Sequence, residues 1–274
     1  MGAYAAPALA AVLLWWFSTG AILWLNHLPR RTHGLSMAGG TVVLAGALWA
    51  IGASAGEASE AGVYTAFTAA LLVWGWQEMS YYMGFVSGPR PVACPAHLGG
   101  AQKFVAALAT SLWHEAAIVV GGLAILALTW GRPNHFALCT YATLVLMNAS
   151  ARLNLFLGVR NLNAEFLPAH LGYLAGYLAQ RPMNRLFPVS VALGTVAVAL
   201  MGRATLADGI PAHEFVGYTL LASLTALAVL EHGFLVLPLP SAALWQWSLP
   251  AKVAPGTMIA PVAIESDTAG TPRD

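Results

Sequence analysis

WGWQEMSYYMGFVSGPR, residues 74–90, closes an apolar run that carries a glutamate, Glu78, well inside its length. A carboxylate near the centre of a bilayer costs about 2.5–3.5 kcal/mol on insertion scales, so a span holding one needs partners elsewhere in the chain. The sequence offers three such places. They are His114-Glu115, Asn148 with Arg152, and Glu231-His232, each within or at the edge of another apolar segment.

The setting of those segments follows from composition. Of 274 residues, 58% are hydrophobic and 8% charged, about a third of the charge of a soluble domain. Long uncharged runs in such a chain read as an all-α, polytopic membrane bundle. The near-neutral balance and the absence of a basic run exclude a nucleic-acid partner as an expectation. No Lys or Arg precedes the first apolar run, which is therefore read as a retained span rather than a cleaved leader.

Seven spans are expected, at about 5–25, 36–55, 62–82, 104–130, 136–158, 187–202 and 214–237, in one transmembrane domain over residues 1–250. Residues 166–180 are apolar but short, and fit an interfacial helix with His170, Tyr173 and Tyr177 near one face. Trp245 and Trp247 are expected at headgroup depth. Residues 251–274 are small and polar and are expected to be a disordered tail. Cys94 and Cys139 form no CxxC pair and fall on opposite sides of this topology, so both are read as free thiols.

Orientation comes from the basic residues. Arg30, Arg31, Arg90, Lys103, Arg160, Arg181, Arg185 and Lys252 share one side, and Arg152 leans towards it. The other side keeps Arg132 and Arg203 with Glu57, Glu60 and Asp208. The positive-inside bias then puts the N-terminus in the periplasm and the C-terminus in the cytoplasm of a bacterial inner membrane. With that topology Glu78, His114, Glu115, Asn148, Arg152, Glu231 and His232 all fall in the cytoplasmic half of the membrane, a candidate intramembrane polar cluster.

Three chemistries stay open for this cluster. Glu78, His114, Glu115, Glu231 and His232 form a carboxylate and imidazole set suited to a di-metal (iron) centre. Bundle di-iron sites use Glu-x-x-His spacing, however, whereas these pairs are adjacent and about 100° apart on a helix. Alternatively, His114 or His232 is an axial ligand to a tetrapyrrole metal. The third reading is an interhelical network in which Arg152 neutralises Glu78 or Glu115. At the cytoplasmic face, Arg90, Asn154, Arg160, Asn161, Asn163 and His170 are candidates for contact with membrane lipid or a partner loop. No Walker loop, dinucleotide fingerprint or HExxH occurs.

The combination WQEMSYYMGFVSGPR, SLWHEAAI, NASARLNLFLGVRNLN and AHLGYL, in this order over residues 60–240, resembles PuhE, the photosynthetic complex assembly protein 2 family of anoxygenic phototrophic bacteria. The resemblance implies a membrane factor for assembly of the photosynthetic reaction centre and core antenna. It also implies modulation or handling of bacteriochlorophyll or a precursor, with complex subunits or bacteriochlorophyll synthesis enzymes as partners. The rival expectation is a membrane metal-dependent oxidoreductase acting on a tetrapyrrole or carotenoid. The family supplies no catalytic residues to carry over.

Overall fold

Eight α-helices follow one another among the residues described in the computed structural model, which are 2–162 and 167–249. They are α1 Gly2–His27, α2 Arg30–Ser54, α3 Glu60–Tyr82, α4 Gly100–Ala109, α5 Leu112–Thr129, α6 Phe136–Leu157, α7 Leu186–Ala204 and α8 Ala212–Phe234. Among the described residues no strand forms; one isolated parallel bridge joins Val159 to Gln180. The expected all-α bundle is therefore present. The tail beyond 250 and Asn163 lie outside the described residues.

Six helices, α1, α2, α5, α6, α7 and α8, are long and apolar enough to cross a membrane. The third expected span, α3, is long enough at 23 residues but is not one of the six. Its position explains the difference. α3 packs against α1, α2, α5, α6 and α8, and buries Val63, Ala66, Phe67, Ala70 and Val73 in the main core. A helix shielded on most sides by protein can carry Gln77 and Glu78, because its polar groups meet other helices rather than lipid. Close approach around it uses small residues, as bilayer packing does: an added Cβ at Gly217 would meet the Phe136 ring at 2.2 Å.

The expected fourth span over 104–130 is not continuous. It breaks at Thr110 and Ser111 into α4 and α5, and Ser111 leaves the helical region at φ −131° and ψ 14°. The freed backbone groups are taken up by the loop after α3. Arg90 N donates to Ala109 O at 3.2 Å, and His114 N donates to Ser87 O at 3.0 Å. Gly88 makes this possible, since a Cβ there would sit 2.3 Å from Ala109 O. Unpaired backbone at this depth is costly, so a loop that re-pairs both sides of the break fixes its position.

Two further expectations change. Residues 169–177 form a 3-10 helix rather than an α-helix. With three residues per turn, His170 and Tyr173 eclipse while Tyr177 turns off that face, and the Tyr177 hydroxyl instead donates to Val92 O at 3.1 Å. The C-terminal tryptophans do not stay at the helix ends: the segment after α8 folds back along the middle of α1. Trp16 Nε1 donates to Leu244 O at 2.8 Å, Trp245 Nε1 donates to Trp16 O at 3.1 Å, and Trp247 stacks on Phe17 with centroids 6.1 Å apart. An added Cβ at Gly20 would meet the Trp247 ring at 2.1 Å, so the missing side chain there makes the seat.

Candidate intramembrane polar site

The site grows from the helix break. Ser111 precedes the first turn of α5, where backbone N–H groups lack helical acceptors and anionic side chains are favoured. Glu115 lies one turn on and accepts from Ser111 Oγ at 3.2 Å. Arg152, on α6, donates through Nη1 to the same Glu115 Oε1 and through Nη2 to Ser111 Oγ at 2.7 Å. Three side chains from two helices thus close on one point. Arg152 and Glu115 remain about a third exposed, at 35% and 34%.

Behind this ion pair the groups stack inward. The Arg152 guanidinium lies 5.9 Å from the centre of the Tyr81 ring, a cation–π distance. Tyr81 in turn stacks on His114, with centroids 4.5 Å apart and ring planes at 29°. His114 Nε2 is 3.9 Å from Glu78 Oε1, beyond hydrogen-bond reach. His114 Nδ1 and Glu78 Oε1 are buried and meet no hydrogen-bond partner among the described residues. The order from the partly exposed rim to the interior is Arg152, Tyr81, His114, Glu78.

The other expected members are elsewhere. Glu231 accepts from Trp15 Nε1 of α1 at 3.2 Å. His232, next to it in sequence, points to α6: its Nε2 pairs with Ser150 Oγ at 2.9 Å and its Nδ1 with Ala228 O at 2.8 Å. Asn148 is half-buried and makes no side-chain hydrogen bond among the described residues. The five carboxylate and imidazole groups therefore do not form one ligand set. Among the described residues, no group of three or more His, Cys, Asp or Glu side chains is placed to hold a metal ion. The 100° offset between neighbouring residues is the reason: each adjacent pair divides between two helices. Nor does either histidine present an open ring nitrogen to a flat pigment, since His114 is 1% and His232 2% exposed.

The face residues also sort differently from the expectation. Asn154 is fully buried, donating to Ser150 O at 2.9 Å and Ser190 Oγ at 3.0 Å, and so ties α6 to α7 instead of facing lipid. Asn184, which the sequence reading passed over, joins it: its Nδ2 reaches Asn154 O at 3.1 Å and Gly158 O at 3.0 Å. Its Oδ1 accepts from Leu186 N and Phe187 N at 2.8 and 3.1 Å, capping α7. An Asn just ahead of an apolar run is a helix-start signal that the sequence did contain. Asn161 Nδ2 donates to Phe234 O at 2.8 Å and Leu237 O at 2.6 Å, closing the end of α8. Arg90 and Arg160 are exposed.

His170 rests over the end of α3. A Cβ added at Gly84, which has φ +82°, would lie 3.3 Å from His170 Nε2, so the approach depends on a glycine there. Burial, and then the positive charges of Arg30 and His33, push the His170 pKa down, against a hydrogen bond to the Tyr82 backbone that raises it. Tyr173, on the same face, is pushed up by burial and by Tyr177.

Comparison with known proteins agrees with the extent of this fold. A protein from Rhodobacter capsulatus described as "Uncharacterized 30.4 kDa protein in puhA 5′ region" is 43% identical over 260 residues, covering 92% of this chain and 93% of that protein. No solved structure matches the chain. The family described as protein of unknown function (DUF3623) matches residues 1–255. A match over nearly the whole bundle, loops and helix break included, assigns this multi-pass membrane chain to the DUF3623 family.

Proposed function

We propose that this protein is a membrane-integral assembly factor for the photosynthetic reaction centre and its core antenna, of the PuhE type. The observation that carries the proposal is the relative named for the puhA region, similar along nearly the full chain. The ordered motifs from residue 76 to residue 174 support the same reading. The geometry favours it over catalysis, because the strongest polar groups are used to join helices: Arg152 and Glu115 link α6 to α5, and Asn154 links α6 to α7. Such ties hold a bundle in register and leave its surfaces for partners. The basic helix ends face the cytoplasm in this proposal, with the N-terminus in the periplasm.

Affinity isolation of a tagged chain from a pigmented host in mild detergent tests the reading. Reaction-centre subunits, core-antenna subunits or bacteriochlorophyll synthesis enzymes should be retained well above the level seen with an unrelated multi-pass protein. Deleting the gene should lower the absorbance of assembled complexes. A chain that always isolates alone, together with unchanged complex levels in the deletion strain, would sink the proposal.

A further inference from the structure

Methionine is distributed unevenly in this bundle. Among the described residues, the buried members of the main core include none. A second, smaller cluster buries methionines alone: Met37 of α2, Met79 of α3 and Met83 at the α3 cap. Ile22, Leu25 and Trp76 pack against them and are only partly buried. Cores use methionine sparingly, as a gap-filler among branched side chains. Three together, with no branched side chain buried among them, put three thioethers into one small volume.

Spacing and register explain the meeting. His33 and Met37 are four residues apart on α2, and Met79 and Met83 are four apart along α3, so each pair shares a helix face. Two contacts set the register of these antiparallel helices. Trp76 Nε1 donates to Thr41 Oγ1 at 3.1 Å, and a Cβ added at Gly40 would collide with the Met79 methyl and lie 3.7 Å from its sulfur. One turn further towards the same end, His33 and Met83 come level. His33 Nε2 donates to Leu28 O at 3.0 Å. A carbonyl accepts only, so the proton of the neutral ring is held at Nε2 and Nδ1 keeps its lone pair.

We propose that Met37, Met79 and Met83, with His33 Nδ1, bind one monovalent copper ion at this end of the α2–α3 pair. Thioether and imidazole donors together favour Cu(I). The donor set is uncharged, which suits a single positive charge; a divalent ion in this apolar setting would call for carboxylates. The four residues keep 5–8% exposure, and the partly buried edge at Trp76, Ile22 and Leu25 admits an ion between flexible thioethers. The site is separate from the Arg152–Glu115 pair and does not rest on the assembly reading.

Anaerobic titration of the full, metal-free chain with Cu(I) in mild detergent, against a chromogenic Cu(I) chelator, tests it. The protein should withdraw one ion per chain, and X-ray absorption should show sulfur scatterers around the copper. Met37→Leu, Met79→Leu and Met83→Leu conserve side-chain volume and keep the fold, which melting without copper checks. Each, and His33→Gln, should weaken binding at least about tenfold, the loss typical even of an outer-shell partner. The triple leucine variant should leave the copper with the chelator. Met147→Leu, which packs at Gly194 away from the cluster, should bind as the wild type does. A wild-type chain that takes no copper from the chelator, or a triple variant that takes it equally well, would overturn the site. A preference for Zn(II) over Cu(I) would overturn the soft-donor assignment.

Discussion

Gly88→Ala puts the helix break to a quantitative test. The added Cβ would lie 2.3 Å from Ala109 O, 2.5 Å from Thr110 C and 2.7 Å from Ser111 N, all backbone atoms that cannot rotate away. The loop must therefore lift from the break. Lifting it removes the bonds from Arg90 N to Ala109 O and from His114 N to Ser87 O, 3.2 and 3.0 Å long. Each is worth about 1 kcal/mol net, and a buried donor left without a partner adds about 1–3 kcal/mol. The expected loss is on the order of 2–5 kcal/mol, or roughly 10 °C in apparent melting temperature for a chain of this size. Thermal unfolding in mild detergent reads the loss. Hydrogen exchange at the His114 amide, expected to accelerate, locates it. Gly34→Ala is the control, since nothing lies within 4 Å of its added Cβ and alanine favours the helix. A Gly88→Ala protein that melts with the wild type and protects the His114 amide equally well would refute the account of the break.

Further outcomes follow from the polar ties. Asn184→Ala removes the links to Asn154 and Gly158 together with the cap of α7, and should lower stability by about 2–4 kcal/mol. Asn148→Ala, at a position without a side-chain partner among the described residues, should stay within about 0.5 kcal/mol in the same melting assay. A double-mutant cycle on Arg152→Met and Glu115→Gln should give a coupling of about 0.5–1 kcal/mol, small because both groups keep a third of their exposure; zero coupling would place that ion pair among the inert ones. His170 supplies a pH dependence. Its pKa in the folded chain lies below the ordinary 6.5, so folding favours the neutral ring and the unfolded chain binds more protons below that value. Its contribution is complete above pH 6.5 and is lost as the pH falls towards the folded-state value. Melting temperature should drop from pH 7 to pH 5, and His170→Asn should flatten that slope; a slope unchanged by the variant would contradict the assignment.

Much of this protein was legible in its residues, because the bilayer imposes constraints that act locally. Backbone groups inside it must be paired, which a helix does within its own length, so apolar run length reports helices directly, and the punctuators SGPRP, GRPNH and RPMNR mark their boundaries. The burden of Glu78 was equally plain, since a carboxylate in an apolar run requires a partner wherever it lies. Other features depended on contacts between segments far apart in the chain. Nothing local to SLWHE states that α4 and α5 separate, because the break is stable only when Ser87 and Arg90 fill it. Depth placed seven polar residues together, but azimuth divided them. Rotation about each helix axis sent Glu115 to Arg152, Glu231 to Trp15 and His232 to Ser150, and turned Asn154 inward to Ser190. Sequence fixes the height of a side chain along its helix through a constant rise; only packing against the neighbouring helices fixes the direction in which it points.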